Sequence, residues 1–316
     1  EVRTLGGVAQ VDPADWDRLT AGAPPFVHHA FLASLEEAGC VGPGTGWEPH
    51  PLTVWRAGRL IGAAPAYLKT HSNGEFVYDW GWADAAQRSG VRYYPKLVLA
   101  CPFTPVGGPR LLVDPGLTPE DRREVQRTLL AGTAEVARQL DCAGVHVLFC
   151  SAEERDLAVE MGFVARLGLQ FHWTNAGYTT FDDFLARFRS KRRAQIRRER
   201  RIVSQDGPTV RTYLGEEVGD DLRPHAFRLY GSTVDKFHWG RRYLNERFFE
   251  LLWDRMRPTL QLVLAHDGPR VVAGALNFQH EGRRYGRYWG CDADHPYLHF
   301  EVCSYASIQD CIAQGV

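Results

Sequence analysis

A mixed α/β chain built from two copies of one unit is predicted by three observations. Residues 52–84 and 262–294 are 33-residue segments that read alike once one-residue gaps are allowed. Each has a hairpin glycine (Gly58, Gly268), then a small apolar run (Ile61-Gly62-Ala63-Ala64, Val272-Ala273-Gly274-Ala275), then a Trp-Gly pair (Trp80-Gly81, Trp289-Gly290). Three matches in order at matched spacing are the mark of a duplicated fold. Strand-like alternation and helix-like periods both recur along the chain. Finally, 316 residues exceed what one hydrophobic core serves, which predicts two domains, 1–175 and 176–316.

Taken in order, Asp12-Pro13 reads as an N-cap with proline in the first turn of a short helix. A second helix covers 29–39, with Phe31, Leu32 and Leu35 at helical spacing and Gly39 as a stop. Residues 52–69 alternate as two strands around Arg56-Ala57-Gly58-Arg59, and 75–82 continues as a third. Residues 93–113 read as two strands joined through Pro-rich turns, and Thr118 caps a long amphipathic helix. A buried strand at 144–150, a helix at 153–161 and a strand at 163–174 close the first half. In the second half, Thr180 and Asp183 form a capping-box variant for one basic helix over 181–203. Helices at 221–236 and 243–255, strands at 260–265, 271–280 and 283–290, and a helix at 300–314 follow.

Composition excludes several classes. With 44% hydrophobic, 12% aromatic and 24% charged residues, the chain is globular, neither disordered nor coiled coil. The longest uncharged stretch, 97–109, is broken by Pro102 and Pro105 and is too short to span a membrane. The seven cysteines are scattered and never spaced C-x-x-C, which predicts neither a disulfide framework nor a zinc ribbon. The twelve histidines show no H-E-x-x-H or H-x-H pattern, so no metal is expected. The first residues show no basic n-region and apolar h-region, so no secretion signal is expected, and the cysteine usage fits a cytoplasmic location. Oligomeric state is not legible.

The net charge of −1 hides an asymmetry: residues 187–201 hold nine Lys/Arg against one Glu, a local +8. Arg189, Arg193 and Arg197 follow i, i+4, i+8 on one helical face, with Lys191, Arg192, Arg198 and Arg201 beside it, while Phe184, Phe188 and Ile196 face inward. Such a surface suits phosphate: a tRNA backbone, a nucleotide pyrophosphate or the phosphates of CoA. A non-catalytic nucleic-acid-binding protein using the basic helix 187–201 is the rival reading, opposed by the lack of aromatics interleaved with the arginines.

The repeated unit of helices, a three-strand meander and a helix resembles the Gcn5-related N-acetyltransferase (GNAT) core. Two copies in one chain resemble the Fem-type aminoacyltransferases of cell-wall synthesis. The strings Phe31-Leu32-x-x-Leu35-Glu36, His71-Ser72-x-Gly74-Glu75-Phe76-Val77-x-Asp79-Trp80, Tyr93-Tyr94-Pro95-Lys96-Leu97, Pro102-Phe103-Thr104-Pro105-Val106 and Tyr288-Trp289-Gly290 resemble, more specifically, the FemAB-like N-acyltransferases of bacteria. The resemblance covers nearly the whole chain. It implies two GNAT-like domains in tandem and transfer of an acyl or aminoacyl group to a primary amine of a small molecule or peptide, in cell-wall or peptide-like metabolite synthesis. It implies no tightly bound cofactor, with acyl-CoA or aminoacyl-tRNA as donor substrate and tRNA as partner in the second case. It also implies closing strands past residue 314, which are absent before Val316. GNAT enzymes hold the cofactor pyrophosphate on a Gly-rich turn; here Asp294-His295-Pro296-Tyr297-Leu298-His299 has no glycine and a proline without an N–H, which resembles the Fem-type branch.

Acyl transfer to an amine needs a proton acceptor and groups that bind the donor and acceptor. The strand period places Glu75 and Asp79 on one face of 75–82, with Phe76, Tyr78, Trp80 and Trp82 on the other. Two acids on one face raise each other's pKa and poise one as a base, whereas pairing with Lys69, Lys96 or Arg110 lowers both and makes the cluster structural. Glu75, Asp79 and Glu301, the last at the start of the final helix, are the expected catalytic residues. Lys69, His71, Trp80, Trp82, Tyr94, Lys96, Phe103 and Arg110 are expected to bind substrate, as are Lys191, Arg192, Arg193, Arg197, His238, Trp289 and His299. His238 is also a titratable group beside aromatics and a further base candidate.

Overall fold

The computed structural model describes residues 1–236 and 240–316, which divide into two compact units, Glu1–Gly168 and Leu169–Val316. The first unit runs β1 (Val2–Thr4), α1 (Pro13–Arg18), α2 (His29–Glu37), β2 (Glu48–Pro49), β3 (Leu52–Arg56), β4 (Arg59–Ala64) and β5 (Ala66–Lys69). It continues with α3 (Trp80–Arg88), β6 (Lys96–Leu99), β7 (Leu112–Val113), α4 (Pro119–Gln139), β8 (Val145–Val147) and α5 (Ala152–Glu160). Helices start where a side-chain oxygen satisfies amides that the helix leaves free. Asp12 accepts from Ala14 and Asp15, Thr118 accepts from Asp121, and Ser151 closes a capping box with Glu154.

Two four-stranded sheets result, β1-β3-β4-β7 and β2-β5-β6-β8. β4 and β5 are separated only by Pro65, whose ring offers no N–H to continue the ladder, and the chain changes sheets there. In the second sheet β6 and β8 are parallel and the other pairs antiparallel, so the sheet is mixed. The apolar side of α4 (Val125, Leu129, Leu130) packs on Leu52, Ile61, Leu97 and Leu99 to form the core.

Two strands expected in this half are not strands. Within 75–82, Phe76 and Tyr78 have φ of 60° and 52°, in the left-handed region that breaks an extended strand. Residues 163–174 pair with no described strand, and Val164, Leu167 and Phe171 are exposed.

The second unit runs α6 (Phe181–Ala186), α7 (Ser190–Asp206), β9 (Thr209–Leu214), α8 (Arg223–Val234), α9 (Glu246–Met256), β10 (Leu260–Asp267), β11 (Arg270–His280) and β12 (Arg283–Cys291). It ends with α10 (Leu298–Phe300), a π-helical turn (Glu301–Tyr305) and α11 (Ala306–Gln314). Its sheet has the antiparallel order β12-β11-β10-β9. The sequence reading omits β9. It also joins α6 and α7 into one helix; the capping box of Thr180 and Asp183 starts α6 as expected, but Arg189 is the N-cap of α7 and lies outside its helical register. Phe181, Phe184 and Phe188 nevertheless pack together on Leu185, Ile196 and Tyr305, so the apolar faces of both helices share one cluster.

The third match of the repeat fails in three dimensions. Trp80-Gly81 opens α3, whereas Trp289-Gly290 lies in β12, so the two tryptophans are not equivalent. Gly290 has a steric reason of its own: a Cβ there would stand 1.9 Å from the Leu229 carbonyl oxygen of α8, while a Cβ on Gly81 meets nothing within 4 Å. The hairpins at Gly58 and Gly268 do correspond, each joining two antiparallel strands through a two-residue turn with the glycine at positive φ.

Candidate functional site

In the first unit, β5 and β6 place Lys69 directly opposite Lys96, and both side chains are fully buried. Like charges so opposed are destabilising without counter-ions. The segment between β5 and α3 supplies them. Its backbone is left-handed at Gly74, Phe76 and Tyr78, and this turns Glu75 and Asp79 inward while Phe76, Tyr78, Trp80 and Trp82 stay 38%, 67%, 56% and 63% exposed. Lys96 Nζ donates to Glu75 Oε2 at 2.8 Å, Asp79 Oδ2 at 2.7 Å and Ser72 Oγ at 2.9 Å. Lys69 Nζ lies 4.0 Å from Glu75 Oε1, donates to the Asn73 carbonyl at 3.2 Å and stands 3.8 Å above the Trp47 ring.

Aromatic residues complete the cluster. The Tyr93 hydroxyl donates to Asp79 Oδ2 at 2.7 Å, and the Tyr94 hydroxyl shares a 2.7 Å hydrogen bond with Ser72. Trp47 Nε1 donates to the same Asn73 carbonyl as Lys69, and Phe103 packs edge-on against Trp47. The His71 ring leaves no room for a side chain at Gly46 and accepts from the Asn73 amide. Asp79 sits at the N-cap of α3 but makes no side-chain cap, because its carboxylate turns to Lys96 instead.

The two acids are tuned apart. Burial opposes ionisation of Asp79, but hydrogen bonds from Lys96, Ser72 and Tyr93 outweigh it and hold the pKa at about 2. Burial pushes Glu75 above its ordinary value despite Lys96 and Lys69. Burial, with the charge on Lys96, draws Lys69 down to about 7. Each carboxylate gives one oxygen to Lys96, while Glu75 Oε1 and Asp79 Oδ1 are buried and accept no hydrogen bond among the described residues.

The fold therefore brings together Glu75, Asp79, Lys69, His71, Lys96, Tyr94 and Phe103, with Trp80 and Trp82 outside them. Arg110 stands apart from the cluster's ion pairs: its guanidinium donates to the carbonyls of Val106, Gly108 and Pro109. Ser72, Trp47 and Tyr93 are the members that sequence reasoning missed. Ser72 and Tyr93 lie inside quoted strings but carry no charge, and Trp47 has no sequence signal.

In the second unit, a cleft of about 920 Å³ is lined by Phe181, Arg197, Arg200, Arg201, Val210 and Glu301, among others. Glu301 is buried and receives a two-pronged ion pair from Arg200, with contacts of 2.8 and 3.0 Å. Arg197 pairs with Asp182 at 2.8 Å. Arg193 does not face outward as expected; its guanidinium donates to the Phe188 carbonyl at 2.9 Å, joining α7 to the end of α6. Arg192 lies 3.8 Å from Glu199, and Lys191 is exposed. Trp289 and His299 meet edge to face with ring centroids 5.0 Å apart. His238 lies outside the described residues. Among the described residues no cluster of His, Cys, Asp and Glu is placed to hold a metal, and no helix is long and apolar enough to cross a membrane.

The three four-stranded sheets and the helices around them make a mixed α/β fold. The FemAB-like family model, described as peptidoglycan biosynthesis/recognition, matches residues 7–316, and the chain belongs to that family. No curated protein matches the chain in sequence. Among solved structures, FemX is 12% identical with a TM-score of 0.51, covering 95% of this chain and 84% of its own. A tandem GNAT protein from the clavulanic acid biosynthesis pathway is 12% identical with a TM-score of 0.43, covering 99% of this chain and 86% of its own. The aminoglycoside N-acetyltransferase AAC(6')-Iy, solved in complex with CoA, is 15% identical with a TM-score of 0.34, covering 56% of this chain and all of its own.

Proposed function

We propose that the protein is an N-acyltransferase that moves an acyl or aminoacyl group onto a primary amine in the synthesis of peptidoglycan or a peptide-like metabolite. The family supports the reaction class. One observation carries the acceptor's place: Glu75 Oε1 and Asp79 Oδ1 are buried acceptors without donors. An incoming ammonium supplies what they lack, as an ordinary donor to a desolvated carboxylate. The cluster is closed in this structure, so this reading requires the 72–79 segment to move aside when the acceptor enters.

Asp79, held at about 2, stays anionic and fixes the charge of the acceptor. Glu75, pushed upward, is the better proton acceptor. Once the ammonium proton passes to Glu75, the free amine attacks the acyl carbonyl carbon. The C–N bond forms, the C–S or C–O bond to the donor breaks, and the second proton of the attacking nitrogen passes to the leaving thiolate or alkoxide.

The test is an assay of the purified chain for thiol release from CoA thioesters and for deacylation of charged tRNA, each with and without primary amines. Amine-dependent turnover of either donor supports the reading. Amine-independent hydrolysis, or no turnover with either, refutes it. The nucleic-acid reading gains nothing from the structure, because Arg193, Arg197 and Arg200 of the basic helix are engaged within the second unit.

A further inference from the structure

The two buried lysines are held unequally. Lys96 Nζ donates to Glu75, Asp79 and Ser72 at 2.8, 2.7 and 2.9 Å, and the first two are carboxylates. Lys69 Nζ donates to one neutral group, the Asn73 carbonyl, and stands over the Trp47 ring. The carboxylate oxygen it approaches, Glu75 Oε1, is 4.0 Å away, beyond hydrogen-bond reach. Lys69 is therefore a desolvated cation without a carboxylate hydrogen bond, directly opposite a second cation across β5 and β6.

With both lysines and both acids ionised, the cluster sums to zero. An ammonium added beside Glu75 Oε1 and Asp79 Oδ1 leaves a net positive charge in a volume without water to solvate it. Such a charge is expelled unless a neighbour gives up a proton. Deprotonating Lys96 would take the donor from two ionic hydrogen bonds, whereas a neutral Lys69 amine keeps its bond to the Asn73 carbonyl. Burial and the charge on Lys96 already draw Lys69 down to about 7. The groups around it do not compete for that role. Asp79 is held at about 2, and His146 of β8 is drawn down to about 4 by burial and Lys96. The Tyr93 hydroxyl is pushed up by burial and by Asp79. Glu75 is pushed upward by burial, and an ammonium against it favours its anion.

We infer, on the acceptor's place proposed above, that Lys69 sets the charge of the acceptor: the cluster takes a singly charged primary ammonium in exchange for the Lys69 proton, which leaves to solvent. One ammonium enters and one proton departs, so the buried total stays at zero and no covalent bond to carbon changes. A group that brings two positive charges into the cluster is excluded, because Lys69 has one proton to give.

Isothermal titration of the full chain with n-butylamine, charged at both pH 6 and pH 8, tests it, each titration run in two buffers of different ionisation enthalpy to count protons. Affinity is expected to be about tenfold higher at pH 8, with about one proton released per amine bound at pH 6 and almost none at pH 8. Lys69→Arg fixes a charge that cannot be shed, and is expected to weaken n-butylamine at pH 8 at least about tenfold. Lys69→Met, with no charge to shed, is expected to bind at pH 6 no more weakly than the unaltered protein. A lysine that served only as a salt-bridge partner would give the reverse order, with arginine tolerated and methionine not. Equal affinity at both pH values without proton release, undiminished binding in folded Lys69→Arg, or lost binding in folded Lys69→Met would each overturn the exchange while leaving the acceptor site standing. No binding of n-butylamine to the unaltered protein or to folded Lys69→Met would sink the acceptor site and the exchange together. Where a variant does not fold, the proton count of the unaltered protein decides.

Discussion

Lys69 and Lys96 oppose each other across β5 and β6, and Glu75 reaches both, with Oε2 2.8 Å from Lys96 and Oε1 4.0 Å from Lys69. With Asp79 added on the Lys96 side, two cations and two anions share one buried volume. Neither lysine would be tolerated there without the acids, and the acids are delivered by a backbone that is left-handed at two aromatic residues.

Lys96→Met strands both carboxylates. A buried pair that loses one partner typically costs about 3–5 kcal/mol, so urea denaturation should show a loss of that size or outright unfolding. A loss below about 1 kcal/mol would mean that water reaches the carboxylates.

Acid should weaken the fold through Asp79. Its folded pKa of about 2 is below its ordinary 3.8, so its contribution is complete above 3.8 and disappears as pH falls through about 2. The contribution is on the order of 2 kcal/mol, and chemical denaturation from pH 5 down to pH 2 should show it. Asp79→Asn should flatten that segment of the curve.

Glu75→Gln should keep the hydrogen bond to Lys96 but accept no proton. If Glu75 takes the acceptor's proton, kcat falls on the order of 10²–10⁴-fold while circular dichroism is unchanged. Full activity in the folded variant would remove Glu75 from the chemistry.

The two tryptophan–glycine pairs should respond oppositely to alanine. Gly290→Ala forces β12 away from α8 and should cost at least about 2 kcal/mol in thermal unfolding. Gly81→Ala, in the first turn of an exposed helix, should be neutral or stabilising by up to about 1 kcal/mol.

Most elements were legible where local signals agree with packing: α4 from its cap and period, and β10 to β12 from alternation and a turn glycine. The strand expected at 75–82 was not legible, because period-two placement of acids and aromatics also arises when alternate residues are turned by positive φ. The sequence therefore named Glu75, Asp79, Lys69 and Lys96 as one group for a partly mistaken reason: the contacts are real, but the strand is not. The break at 187–189 was hidden because the arginine spacing runs across it, and the guanidinium of Arg193 that closes the break carries no sequence mark. Arg110 looked like a counter-ion because it lies on an adjacent expected strand, whereas its fork matches three backbone carbonyls.

With both lysines charged and both acids ionised the buried quartet sums to zero charge, and in the closed structure it lies out of reach of buffer ions. Mobile counter-ions screen charges they can approach, over about 8 Å at physiological ionic strength, and leave sealed ones nearly untouched. The Arg-lined cleft, by contrast, is open to the medium. The exposed Arg197–Asp182 pair on its lining is therefore one that added salt weakens, while the buried quartet keeps its pairing.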